Sequence, residues 1–238
     1  VRPHLSQGGR RPRRVVRRLR QGARALRQER PGGYPTLPLP LPYPTPTLPQ
    51  VAALLGEVLY ETNDVAQALD LLESRVDVLE RVTIPVAVLR VLTVLSASHW
   101  LNGRQMEAMA YLERLQDYAQ HLDLDRLLML SLGEQVHRHL QRGEFDVAKR
   151  KLQDMDRIEE RHVGAPDETR HVISLVRQRA QIRWSLAMGD ADGAAERLEH
   201  LIPLCEARGR QLTVVRLRLQ SAIVNRQLGR HDRKRADV

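Results

Sequence analysis

A period near 40 residues constrains this chain more than any other feature. Residues able to adopt a left-handed backbone at a turn stand at Asn63, Gly103, Gly143, Gly189 and Gly229, at spacings of 40, 40, 46 and 40. Five positions after each of the first four comes an alanine: Ala68, Ala108, Ala148 and Ala194. Nine positions after comes a leucine: Leu72, Leu112, Leu152 and Leu198. Three before the turn sit Tyr60, Trp100, Leu140 and Leu186, and seven before sit Gly56, Ser96, Val136, Ile182 and Ala222. The pattern describes a pair of helices. The turn residue ends helix A, the alanine lets helix B approach closely, and the leucine fills the space between them. One pair buries only part of its apolar surface, so neighbouring pairs must stack to complete a core.

Apolar residues recur at three- and four-residue spacing over 51–60, 65–81, 85–101, 105–122, 124–140, 145–161, 168–188, 191–207 and 211–228. Over 65–81 they form one stripe, Val65, Ala68, Leu69, Leu72, Val76 and Leu79. Asp64 is placed to cap that helix and Thr83 to cap the next, with Pro85 in its first turn. Nothing in these runs alternates with period two for long enough to form a strand, and eight aromatic residues in the whole chain argue against a sandwich or barrel. The expected fold is all-α, a right-handed superhelix of about four and a half stacked antiparallel helix pairs. After Gly229 the alanine position is occupied by Lys234, and Val238 arrives before a partner helix could form. The fifth pair is therefore expected to be half complete, as in a fragment of a longer protein or the product of a damaged reading frame.

Charge is distributed as unevenly as the repeats are regular. The formal net charge is +9, but residues 1–30 hold eleven arginines against one acid, Glu29, leaving 27 basic and 28 acidic residues elsewhere. From Pro35 to Pro46 the chain alternates, as in Leu37-Pro38-Leu39-Pro40-Leu41-Pro42, which admits polyproline II and no other regular structure. Three segments are expected: a disordered Arg/Pro-rich lead over 1–50, a helical repeat domain over 51–230, and a disordered, truncated tail over 231–238. No apolar run reaches the roughly 18 residues a membrane helix requires. The single cysteine, Cys205, excludes a disulfide framework, fits a reducing, cytoplasmic setting, and falls where a small buried hydrophobe is expected.

Catalytic and metal chemistry find little support. Glu134-x-x-His137, Glu159-x-x-His162 and Glu168-x-x-His171 each set a carboxylate and an imidazole one helical turn apart, as di-metal helix bundles do. Such centres need two copies and two further carboxylates in a dry core, whereas two of these motifs sit at arginine-flanked helix ends. His137 and His139 lie about 200° apart around a helix and cannot share an ion. No Gly-x-Ser-x-Gly elbow or Gly-x-x-x-x-Gly-Lys-Ser/Thr loop occurs. No enzymatic activity, cofactor or metal is expected.

A small residue seven before the turn, alanine five after it and a large apolar residue nine after resemble the tetratricopeptide repeat (TPR), with a period of about 40 in place of 34 and without the closing proline. The longer helices, the run Leu54-Leu55-Gly56-Glu57-Val58-Leu59-Tyr60-Glu61 before Asn63, and Leu228-Gly229-Arg230 closing an Arg- and Leu-rich helix are similar to the superhelical sensor region of LuxR-type bacterial regulators related to the maltose-regulon activator. The resemblance covers roughly 51–230. In that family such a region lies between an ATP-binding module and a helix-turn-helix, and neither is present here. The resemblance implies a region of a transcription regulator that reads a protein partner or small effector in a concave groove, with self-association as part of its switching and without direct DNA contact. The groove would be lined by A helices, on which Arg90, His99, His137, Arg177 and Arg183 are the candidate contact residues. A free-standing TPR-like adaptor is one alternative, and nucleic-acid binding through the Arg-rich arm is another.

Overall fold

The computed structural model describes residues 48–82 and 84–229. The tail expected over 231–238, nearly all of the lead expected over 1–50, and the capping role expected of Thr83 lie outside the described residues. All regular structure among the described residues is helical: α1 (Leu48–Glu61), α2 (Val65–Glu73), α3 (Val76–Val82), α4 (Pro85–Leu101), α5 (Gln105–His121), α6 (Asp125–Gln141), α7 (Phe145–Arg161), α8 (Asp167–Ala187), α9 (Ala191–Ala207) and α10 (Gln211–Gln227). These helices belong to two compact units, one running to Leu115 and the other from Gln116, with the boundary inside α5. No helix among the described residues is long and apolar enough to cross a membrane.

The turns show why the period holds. Asn63, Gly103, Gly143, Gly189 and Gly229 all have positive φ, between 62° and 78°. At Gly103 the chain folds back so that Gly103 N donates to Trp100 O and Arg104 N to His99 O, at 3.0 and 2.9 Å. The same pair of bonds recurs around Asn63, Gly143 and Gly189. This double closure satisfies the last carbonyls of helix A and needs a left-handed residue at one position only. Asp123 and Gly209 take the same conformation where a B helix hands over to the next A helix. Asp64 and Asp190 then cap the following helices, their side chains accepting from Gln67 N and Gly193 N.

In the first unit, the alanine and leucine positions Ala68, Leu72, Ala108 and Leu112 are fully buried. Gly56 explains the small residue seven before the turn: a Cβ there would meet the Leu72 side chain at 2.5–2.7 Å. Helix B of the first pair is not the single helix expected over 65–81. It breaks between α2 and α3, where Ser74 Oγ donates to Asp70 O and Arg75 Nη1 donates to Leu71 O. These side chains occupy carbonyls that a continuous helix would use, and Arg75 N bonds Leu72 O, three residues back. Ile84, extended ahead of Pro85, stands at the N-cap of α4.

In the second unit, α6 packs against both α7 and α8, and α9 against α8 and α10. Ala148, Leu152, Ala194 and Leu198 are buried, as are Val136 and Ile182 at the position seven before the turn. Ile182, Ala194, Leu198, Leu201, Cys205, Val214, Leu217 and Val224 form one continuous core. Hairpin ends are tied by charge. Arg161 and His162 at the end of α7 reach Asp125 at the start of α6, and Arg208 and Arg210 after α9 reach Asp167 and Glu168 at the start of α8. Acid at a helix N-terminus beside base at a C-terminus also matches the two helix dipoles. On α10, Leu212, Val215, Leu219 and Ile223 form an exposed apolar stripe, and Ala222, seven before Gly229, is exposed with them. Among the described residues no B helix covers this face.

Candidate functional site

In the first unit, Arg90 on α4 is half-buried and paired with Glu57 on α1, so adjacent A helices are joined by an ion pair at a partly open surface. His99 is placed differently. It is 2% exposed, its ring is stacked on Tyr111 with centroids 5.3 Å apart, and its Nε2 lies 2.7 Å from Glu73 Oε1. His99 thus sits in the packing between helices rather than on an open face.

In the second unit, α8 sends its arginines to two sides. Arg177 Nε donates to Asp156 on α7, at a cleft of about 690 Å³ that Glu196, Arg197 and His200 of α9 also line. Arg183 points the other way, its Nη1 lying 3.3 Å from both Gly133 O and Glu134 Oε1 on α6. Gly133 is the point of close approach, since a Cβ on it would stand 3.2 Å from Val176 on α8. Of the five candidate residues, His137 and Arg183 are brought together, while Arg177 lies on the opposite side of α8.

Two further residues complete the group around the Glu134 carboxylate: Arg138 beside His137 on α6, and Arg179 one turn before Arg183 on α8. Burial drives the His137 imidazole down to about 4, Arg183 pushes in the same direction, and Glu134 opposes it. Burial works against the Glu134 carboxylate, but Arg183, His137, Arg179 and Arg138 together hold it below its ordinary value. His137 is therefore neutral and Glu134 ionised at pH 7. Burial, then the charge of Arg183, pulls the Arg179 guanidinium below its usual value. The group can offer hydrogen bonds and positive charge to a ligand. It holds no nucleophile with an oriented base.

Spacing identified His137 and Arg183 but not their relation. The 179/183 interval puts both arginines on one face of α8, yet Arg177, 179 and 183 look alike until α6 and α7 are placed on either side. The two Glu-x-x-His motifs at helix ends serve the hairpin: His162 bonds Asp125, and Glu168 pairs with Arg210. Among the described residues no three His, Cys, Asp or Glu side chains converge on a metal position. Cys205 is fully buried in the second core, and burial raises its thiol.

No family model and no curated protein matches this chain. Among solved structures, the chain is similar to a Podosopora anserina protein assigned as a kinesin light chain with nearly identical TPR-like repeats, at 18% identity and a TM-score of 0.49, covering 79% of this chain and 90% of that one.

Proposed function

We propose that the chain is an interaction module that reads a protein partner or small effector at the A helices of its units, and that it belongs to the sensor region of a LuxR-type transcription regulator. One observation carries the first part. In each unit, adjacent A helices meet at half-buried charged groups, Arg90 with Glu57 and Arg183 with Glu134 and His137, whereas the alanine and leucine positions of the B helices are buried. Half-desolvated charges at an open surface recognise polar ligands with orientation and selectivity. The regulator assignment rests on the sequence resemblance over 51–230.

Two experiments separate the parts. Affinity capture with the intact chain, compared with a Glu57→Lys/Glu134→Lys variant of normal helicity, tests the A-helix face. Capture lost in the variant supports it, and capture unchanged refutes it. For the regulator, the coding DNA on either side is expected to encode an ATPase motif upstream and a helix-turn-helix downstream; an unrelated neighbourhood would leave a free-standing adaptor. Nucleic-acid binding through residues 1–30 concerns residues outside those described, and is tested below.

A further inference from the structure

We infer that the A-helix face of the second unit contains an oxyanion site, in which Arg179 and Arg183 on α8 receive a carboxylate or phosphate group of the ligand. The inference rests on the interaction reading above and names the chemistry of that face. Its starting point is Arg179. This side chain is half-buried, its Nε is fully enclosed, and among the described residues it makes no hydrogen bond and no ion pair. A guanidinium removed from water is ordinarily matched by a carboxylate with its remaining donors satisfied. Here the nearby carboxylate is Glu134, and Arg183 already engages it.

The surroundings increase the imbalance. Arg183 and, from α10, Arg216 act on Arg179 as like charges, and Arg138 and Arg179 both act on Glu134. Arg183 and Arg179 on α8 therefore share one carboxylate, Glu134. The other side of α8 is matched, since Arg177 has Asp156 as its own partner. The surplus is thus local to one face and is not a general property of an arginine-rich helix. A carboxylate or phosphate presents two or more acceptor oxygens to the planar guanidinium fork, which supplies the counter-charge and the missing acceptor for Arg179 together.

The test is calorimetric titration of the intact chain at constant ionic strength with inorganic phosphate and, separately, with an acetylated tri-glutamate peptide. Arg179→Gln is expected to weaken binding by about tenfold or more, the loss typical of a hydrogen bond to a charged group. Arg177→Gln removes the same charge from the same helix and is expected to change binding by less than about twofold. Arginines 2–30 are present in every variant, so the difference between variants reads the site. Saturation by phosphate alone assigns a phosphate-bearing effector, and saturation by the peptide alone assigns an acidic protein segment; either supports the site. Equal weakening by the two substitutions, or no saturation by either anion below ~10 mM, overturns it. Stability gives an independent readout. Without ligand, Arg179→Met is expected to melt at or above the parent temperature, because an unmatched charge has been removed, and a clearly lower midpoint overturns the proposal. Capture that survives Glu57→Lys/Glu134→Lys refutes the interaction reading itself, whereas anion binding indifferent to Arg179 refutes only the site.

Discussion

At the scale of single residues, the left-handed turns and the buried imidazole carry the most readable energetics. A Cβ on Gly143 would meet nothing within 4 Å, so substitution there costs only what the backbone conformation imposes. Gly143→Ala is expected to lower unfolding free energy by about 1 kcal/mol in urea titrations. Gly143→Asn should cost less, because asparagine already occupies the equivalent turn at Asn63. His137 gives a pH signature. Its folded-state value of about 4 lies below the ordinary 6.5, so between these values the unfolded chain takes up a proton that the folded chain refuses. Stability associated with neutral His137 is complete above pH 6.5 and is lost as pH falls towards 4. The loss is on the order of 1–3 kcal/mol. Urea midpoints measured from pH 7.5 to 4.5 should fall in the parent and fall less in His137→Gln; parallel curves would show that His137 does not carry the effect.

At the scale of elements, one helix tests the repeat logic in both directions. Leu217 and Leu219 are two residues apart on α10, but Leu217 is enclosed in the second core and Leu219 is 63% exposed. Leu217→Ala is expected to cost roughly 2–5 kcal/mol, the range for a buried leucine truncation. Leu219→Gln should stay within about 0.5 kcal/mol, as surface changes do. Guanidinium unfolding of the two variants checks both values, and comparable losses would mean that α10 is covered on both sides. Helix existence was legible from the sequence because three- and four-residue periodicity is a local property. The break between α2 and α3 was not, because it arises from competition by Ser74 and Arg75 side chains for backbone carbonyls, which leaves the apolar stripe from Val65 to Leu79 intact. The A-helix candidates divide in the same way. Their helices were legible, but the side of the helix from which each projects was not.

At the scale of the whole chain, the +9 net charge belongs to the first 30 residues, and the remainder carries 27 basic and 28 acidic residues. Retention on heparin should therefore follow the arm. Deleting residues 1–47 is expected to abolish binding at about 0.1 M salt while leaving far-UV helicity per described residue unchanged. Retention that persists without the arm would move nucleic-acid binding into the repeats. The local arginine surplus around Arg179 is a separate matter, since it survives in a body that is nearly neutral overall. The sequence by itself determined that the repeats are helical, which residues turn left-handed at the end of each A helix, and which alanines and leucines of the B helices are buried. Each of these follows from spacing along one or two neighbouring helices. Only the tertiary structure decided that His99 lies under a ring while His137 meets Glu134 and Arg183, and that Arg177 is matched and Arg179 is not. Those outcomes depend on which helices flank a given face, and charge pairing and desolvation are set by neighbours 21 to 50 residues away in the chain.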